Sequence, residues 1–315
     1  MAAVCRTLLV ATTLLTAALV SSCLLYAEDE PLFARPSDAV IAKGNEVLKR
    51  VNSQTREDAQ KLNGWPWSGQ YYAGDGLAFN LRLAIAPKAG VVYWCDGDLG
   101  GLYELNVGSF QEDKDGYIHL TFDRKGVKDT GSAEGLHPVL VPIRWGDCRY
   151  LIPDNEMIDF CNHINSGSQY VSRAARFLRH VDDRDKKTSG VPKIPPKYQM
   201  YLLKVPLDAE VIWIGETVIL ERKGRWPPGK HRVTRVRLNR GKGDGLLPGM
   251  TLFHPKSPDL RVVDVTASTC HAEISEYVSE EDAADMGDAK MPQIRLALRY
   301  STRASDSSAD DSAKK

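Results

Sequence analysis

Between Trp67 and Pro153 the chain breaks into short runs of β-branched and aromatic residues, each bounded by Gly and Asp. The runs are Tyr71–Tyr72, Ala78–Ile85, Val91–Trp94, Leu102–Val107, Tyr117–Phe122 and Val139–Arg144. Gly74-Asp75-Gly76, Pro87-Lys88-Ala89-Gly90, Asp96-Gly97-Asp98 and Asp113-Lys114-Asp115-Gly116 separate them. Runs this short suit strands better than amphipathic helices, which need about ten residues or more to lay down a stripe. Turn-forming residues at near-regular spacing make neighbouring runs antiparallel. The pattern predicts an antiparallel meander or small barrel. Gly146-Asp147 adds a hairpin between Val139–Trp145 and Cys148–Ile152.

Helical signals flank this region. Ser37 reads as an N-cap, and Val40, Ile41, Val47, Leu48 and Val51 follow at helical spacing, with a stop before Asn63-Gly64. Residues 28–36 read as a tether. Asp154 caps a helix over Asn155–Asn165, with Met157, Ile158, Cys161 and Ile164 on one face and Gly167 as its stop. A second helix is expected over Gln169–Arg179. Residues 182–197, charged and then rich in Pro, read as a domain linker. The second half is again strand-like. Its runs are Met200–Val205, Glu210–Ile214, Thr217–Arg222, His231–Leu238, Thr251–Phe253, Leu260–Val265 and His271–Tyr277. Glu280–Asp288 is an acidic helix or loop. Ile294, Leu296, Leu298 and Tyr300 alternate with polar or small residues, as a closing strand with one wet face would.

The expected class is therefore mainly β (α+β). It comprises an N-terminal helix, an antiparallel meander or small barrel, a helical connector and a second small β-barrel-like domain. The boundaries are 1–27 for a targeting segment, 28–181 for the first domain, 182–197 for the linker, 198–300 for the second domain and 301–315 for a disordered tail. No internal repeat is found.

The 315 residues are 43% apolar and 26% charged, which excludes a collagen-like, coiled-coil or wholly disordered chain. Bases and acids balance at 41 each, so no global field draws the molecule to nucleic acid or membrane. Residues 1–27 have one charge, Arg6, then an apolar stretch ending in small residues, the form of a secretory signal. Three fates stay open: cleavage after Ala27, lipidation of Cys23 in Val20-Ser21-Ser22-Cys23, or retention as an anchor. Export leaves four cysteines: Cys95, Cys148, Cys161 and Cys270. A Cys148–Cys161 bridge or four buried thiols would each fit.

Gly69-x-Tyr71-Tyr72-x-Gly74-Asp75-Gly76-Leu77, with Asn80 and then Trp94 to Tyr103, resembles a group of exported bacterial proteins of unassigned function. In that group a Gly-Asp-Gly turn precedes a Trp-x-Gly-Cys-Leu-Gly-x-Tyr segment on a β meander. Here the Cys is displaced, to Cys95. The resemblance spans some forty residues and implies a fold module rather than a reaction. Asn239-x-Gly241-x-x-x-Gly245-Leu246-x-Pro248-Gly249-Met250 resembles the small β-barrel segments of envelope assembly proteins, in which such a turn joins two strands. Gly245 and Gly249 would supply backbone angles that other residues avoid.

Asp75, Asp96, Asp98 and Glu104 gather around the first meander. Two acids facing one cleft could run glycoside hydrolysis, although Asp beside Gly is also what tight turns use. Metal, nucleotide and nucleophile signatures are absent, so no cofactor or metal is expected. The strongest anomaly is electrostatic. Nine Lys and Arg and no acid lie from Arg222 to Lys242. Lys230, Arg232, Arg235 and Arg237, with Trp226 in the turn, form a candidate site for an anionic partner. The competing reading is internal: Glu276 to Asp288 carries six acids and no base, and could face the basic strip. The expected role is an exported, periplasmic or cell-surface envelope protein that binds or supports rather than catalyses. Its partner would be an anionic envelope component, not nucleic acid, and it would touch membrane through a lipid anchor or uncleaved signal. A glycan hydrolase and a small-ligand binder using the first barrel's interior are the rivals.

Overall fold

The computed structural model describes residues 36–61, 64–74, 80–97, 102–123, 136–167, 176–222, 229–278 and 297–303. Within these the protein is mainly β, built on two closed antiparallel barrels. The targeting segment with Cys23, Asp75, Asp98, Trp226, the acidic Glu280–Asp288 stretch and the tail from residue 304 lie outside the described residues; residues 301–303, expected in the disordered tail, are ordered, with Ser301 ending the last strand because it pairs across the second barrel.

Helix α1 (Asp38–Ala59) comes first. Eight strands then form the first barrel: β1 (Gly69–Gly74), β2 (Asn80–Ala86), β3 (Gly90–Asp96), β4 (Leu102–Glu112), β5 (Ile118–Phe122), β6 (Val139–Trp145), β7 (Cys148–Pro153) and β8 (Leu178–His180). Each strand pairs with the next, and the ring closes where Tyr71 and Tyr72 face His180 and Arg179. The interior is a packed core of Tyr71, Leu83, Ile85, Val91, Tyr93, Ile118, Leu140, Leu151 and Leu178. An eight-stranded barrel is just wide enough for side chains to fill it.

The barrel's outside is covered twice. Val47 and Val51 of α1 pack on Ala84, Ala86, Val92, Leu105 and Val107. That apolar stripe is what its helical spacing predicted. On the other flank, helix α2 (Met157–Ser166) lays Met157, Phe160 and Cys161 on Val141, Ile143, Tyr150 and Ile152. Gly167 ends α2 in the left-handed conformation (φ 68°), as expected of a glycine C-terminal stop.

Two segments differ from the sequence reading. Residues 178–180 are a strand, not the end of a helix, because the slot between β1 and β7 supplies their hydrogen-bond partners. Met200–Val205 forms no strand; it follows the short helix α3 (Pro196–Gln199) and feeds Tyr201 and Leu203 into the second core.

Residues 181–199 join the barrels as a packed strap. Asp183 is fully buried and takes a two-pronged ion pair from Arg149, Nε at 2.9 Å and Nη2 at 3.1 Å, with Lys186 also on its carboxylate. Burial opposes the charge, yet the bonds from Arg149, Lys186 and a backbone N–H prevail and hold the Asp183 carboxyl well below the usual range. Further along, Ile194 and Tyr198 are buried against the α2 cluster.

The second barrel runs β9 (Asp208–Arg222), β10 (Gly229–Leu238), β11 (Thr251–His254), β12 (Ser257–Val265), β13 (Cys270–Tyr277) and β14 (Arg299–Ser301), in the spatial order β10-β13-β12-β11-β14-β9. Its separate core holds Val211, Val236, Leu238, Leu246, Leu252, Leu260, Val262, Ala272, Ile274 and Tyr300. Gly245 (φ 99°) and Gly249 (φ 88°) stand in the left-handed region, as their motif requires. A Cβ on Gly249 would also come within 3.1 Å of Ile158 on α2.

Helix α2 is the joint between the barrels. Asn162 Nδ2 donates to the Gly249 carbonyl at 2.9 Å and to Thr251 Oγ1 at 3.2 Å, and Asn162 Oδ1 accepts from Thr251 N–H at 3.1 Å. Asn165 Nδ2 donates to the Tyr201 carbonyl and its Oδ1 accepts from Leu203 N–H.

The four described cysteines are buried free thiols, so the bridge expected between Cys148 and Cys161 is not formed. Cys148 Sγ accepts from Arg179 Nη2 at 3.1 Å, while Cys161 Sγ points to the Tyr198 carbonyl at 3.8 Å. Burial pushes the Cys95, Cys161 and Cys270 thiols up to about 12, which keeps them protonated and unreactive.

Candidate binding face

The long hairpin β9–β10 sorts its side chains by the period of two. On β10, Thr234, Val236 and Leu238 point into the second barrel, and Arg232 and Lys230 continue that face toward the hairpin tip. Arg235 and Arg237 point outward and are exposed, whereas His231 and Val233, on the same side of the strand, are buried. The basic strip is therefore split between two faces.

Most of it is also already engaged. Arg235 Nη2 meets Glu273 Oε1 at 2.9 Å across the β10–β13 pairing, and Arg232 reaches Glu276 at 3.8 Å. Of the acidic stretch Glu276–Asp288 expected to face the strip, Glu276 does so from β13; Glu273, outside that stretch, holds Arg235, and the residues from Glu280 lie outside the described ones. Arg261 stands opposite Glu273 on β12 and pairs with Asp159 of α2 at 2.9 Å, so alternating charges run from α2 to Arg235. Among the described residues, Arg237 and Lys230 make no ion pair. Arg237 stands in register between Trp213 and His271. The His271 Nδ1 lies 2.8 Å from Asp264 Oδ1, and its ring sits edge-on to the Trp213 indole at 6.3 Å.

Apolar side chains that the barrel does not need occupy the same outward face. Val218 lies opposite Val233, and Leu220 lies opposite His231, which in turn faces Tyr277. Trp213 is 44%, Val218 45%, Leu220 43% and Tyr277 53% exposed. Nine large hydrophobic side chains are exposed among the described residues, and five of them (Ile212, Trp213, Val218, Leu220 and Tyr277) belong to this one hairpin and its neighbour β13. Scattered exposed hydrophobics are ordinary, but a cluster on one sheet face marks an interaction surface. The sequence reading had missed Trp213, Val218, Leu220 and Tyr277 as outward residues. Their signal was present in Trp213 through Leu220, where apolar residues fall on both faces of one strand.

Of the acids proposed for hydrolysis, the two described ones, Asp96 and Glu104, do not share a cleft. Asp96 sits on the outside of the first barrel and binds Arg82 at 2.9 Å. Glu104 is cross-strand to the core residue Cys95, so it takes the opposite face of the same sheet. At the first barrel's long-loop end, Leu81, Leu136, His137, Pro153 and Arg176 close round a space of about 10 Å³, too small for a ligand. Among the described residues no three His, Cys, Asp or Glu side chains come together as a metal site. No described helix is long and apolar enough to cross a membrane.

Comparison with family models, curated proteins and solved structures gave no match.

Proposed function

We propose that this protein is an exported component of the cell envelope that works by binding, through the outward face of β9, β10 and β13, rather than by turning over a substrate. Export rests on the signal-like residues 1–27. Binding rests on a single observation: the exposed apolar residues cluster on the sheet that also carries the unpaired Arg237. Of the basic residues on β10, Arg237 is the outward one left for a partner, since Arg235 is held by Glu273.

The test is retention of the purified chain on anionic envelope material. Retention should weaken as salt rises, because exposed charges are screened. Arg237→Glu should lower it by about tenfold at low salt, the scale of reversing one contact charge. Reversal is informative here because Arg237 supports no ion pair among the described residues. Retention that ignores both salt and Arg237→Glu overturns the proposal.

A further inference from the structure

Resting on that reading, we propose that the partner this face meets is an anionic lipid surface. The outward row runs along one side of the β9–β10–β13 sheet, with an aromatic at each end, Trp213 and Tyr277, and the aliphatic Val218 and Leu220 between them. Tyr and Trp favour the membrane–water boundary, where one part of the ring is apolar and the other wet. Val218 and Leu220 offer nothing to a sugar hydroxyl but gain from leaving water.

Charge points the same way. Arg235 and Arg237 stand on this face, and their long stems can keep guanidinium groups at headgroup level while the apolar row dips. Of the acids on this face, Glu273 binds Arg235 and Asp264 binds His271, while Glu216 on β9 is exposed. The surrounding span from Arg222 to Lys242 contains nine bases and no acid. A second copy would bring like charges together, whereas a bilayer rich in anionic headgroups complements them. An apolar sheet face with a basic margin binds the interface plane by the same two contributions as an interfacial amphipathic helix.

The experiment uses the exported chain from Glu28 onward, so that no leader inserts by itself. It is pelleted with vesicles of phosphatidylcholine, and with vesicles that also contain phosphatidylglycerol. Pelleting should require phosphatidylglycerol and fall with salt. The pair Val218→Asp and Leu220→Asp should reduce it by about tenfold or more, since two side chains that should enter the interface become charged. Both positions are exposed, so circular dichroism and the heat transition should stay as in the parent chain. Equal pelleting of parent and variant, or none with either vesicle, overturns the proposal. Retention on an acidic polysaccharide without vesicle binding overturns it as well, while leaving the wider binding reading intact; retention on neither removes both. A dimer in sedimentation that Leu220→Asp dissociates would assign the face to a second copy and overturn the lipid assignment.

Discussion

Burial strips His163 of water on α2, between the Trp145 ring at 5.6 Å and the Phe177 ring at 6.1 Å. Its Nε2 finds no hydrogen-bond partner, and burial pulls the imidazole down to about 4. The native state therefore holds it neutral. Below the ordinary histidine value, about 6.5, the unfolded chain accepts a proton that the native chain refuses. Stability from this group is complete above pH 6.5 or so and drains away as pH falls toward 4, by on the order of 3 kcal/mol. Asp183 acts lower, because its depressed carboxyl gives up stability only beneath the ordinary aspartate range. His163→Leu should remove the first loss and leave the second. Urea midpoints of both proteins across this window check it, and an unchanged acid slope in the variant refutes it.

At the scale of elements, β8 and the strap show what holds the first barrel shut. Arg149 on β7 forks onto the buried Asp183, and its Nη2 also reaches His180 Nδ1 at 3.1 Å on β8. One guanidinium thus ties the seventh strand, the closing strand and the start of the strap. Arg149→Met would leave a buried carboxylate with Lys186 as its remaining cation. The cost should be about 3 kcal/mol, the lower end for breaking a buried pair. Adding Asp183→Leu should recover most of it. Thermal melts of the single and double variants measure both, and a double variant no better than the single would show that packing, not charge, dominates. This arrangement was hard to read from sequence. Leu178-Arg179-His180 is too short to show alternation, and its strand conformation is imposed by the slot it fills. By contrast, the runs from Tyr71 to Ile152 declared themselves, because Gly and Asp turns fixed each reversal locally. The strip from Arg222 to Lys242 stood out as charge, but charge along a sequence does not say which face of a strand it takes, nor that Glu273 and Glu276 wait across the pairing. Trp213, Val218, Leu220 and Tyr277 went unseen for a related reason. Apolar residues on both faces of β9 read as core until the second barrel's interior is shown to be filled by other side chains.

For the whole molecule, the decisive contact is polar. The two barrels keep separate cores, yet Asn162 on α2, 5% exposed, bonds Gly249 and Thr251 of the second barrel. A buried amide left without partners is costly on both sides. Asn162→Ala should lower stability by about 2 kcal/mol and split one heat transition into two, as each barrel begins to unfold by itself. Scanning calorimetry reads this directly; a single sharp transition in the variant would mean that the apolar contacts around α2 suffice.

Ring closure in the first barrel also orders events in time. Tyr71 and Tyr72 seal against His180 and Arg179, so the earliest strand must wait for the latest one. A polypeptide threading a membrane pore from its N-terminus would keep this cylinder ajar until His180 had passed through. Closure of the cylinder is thus a long-range pairing, of the kind that forms slowly.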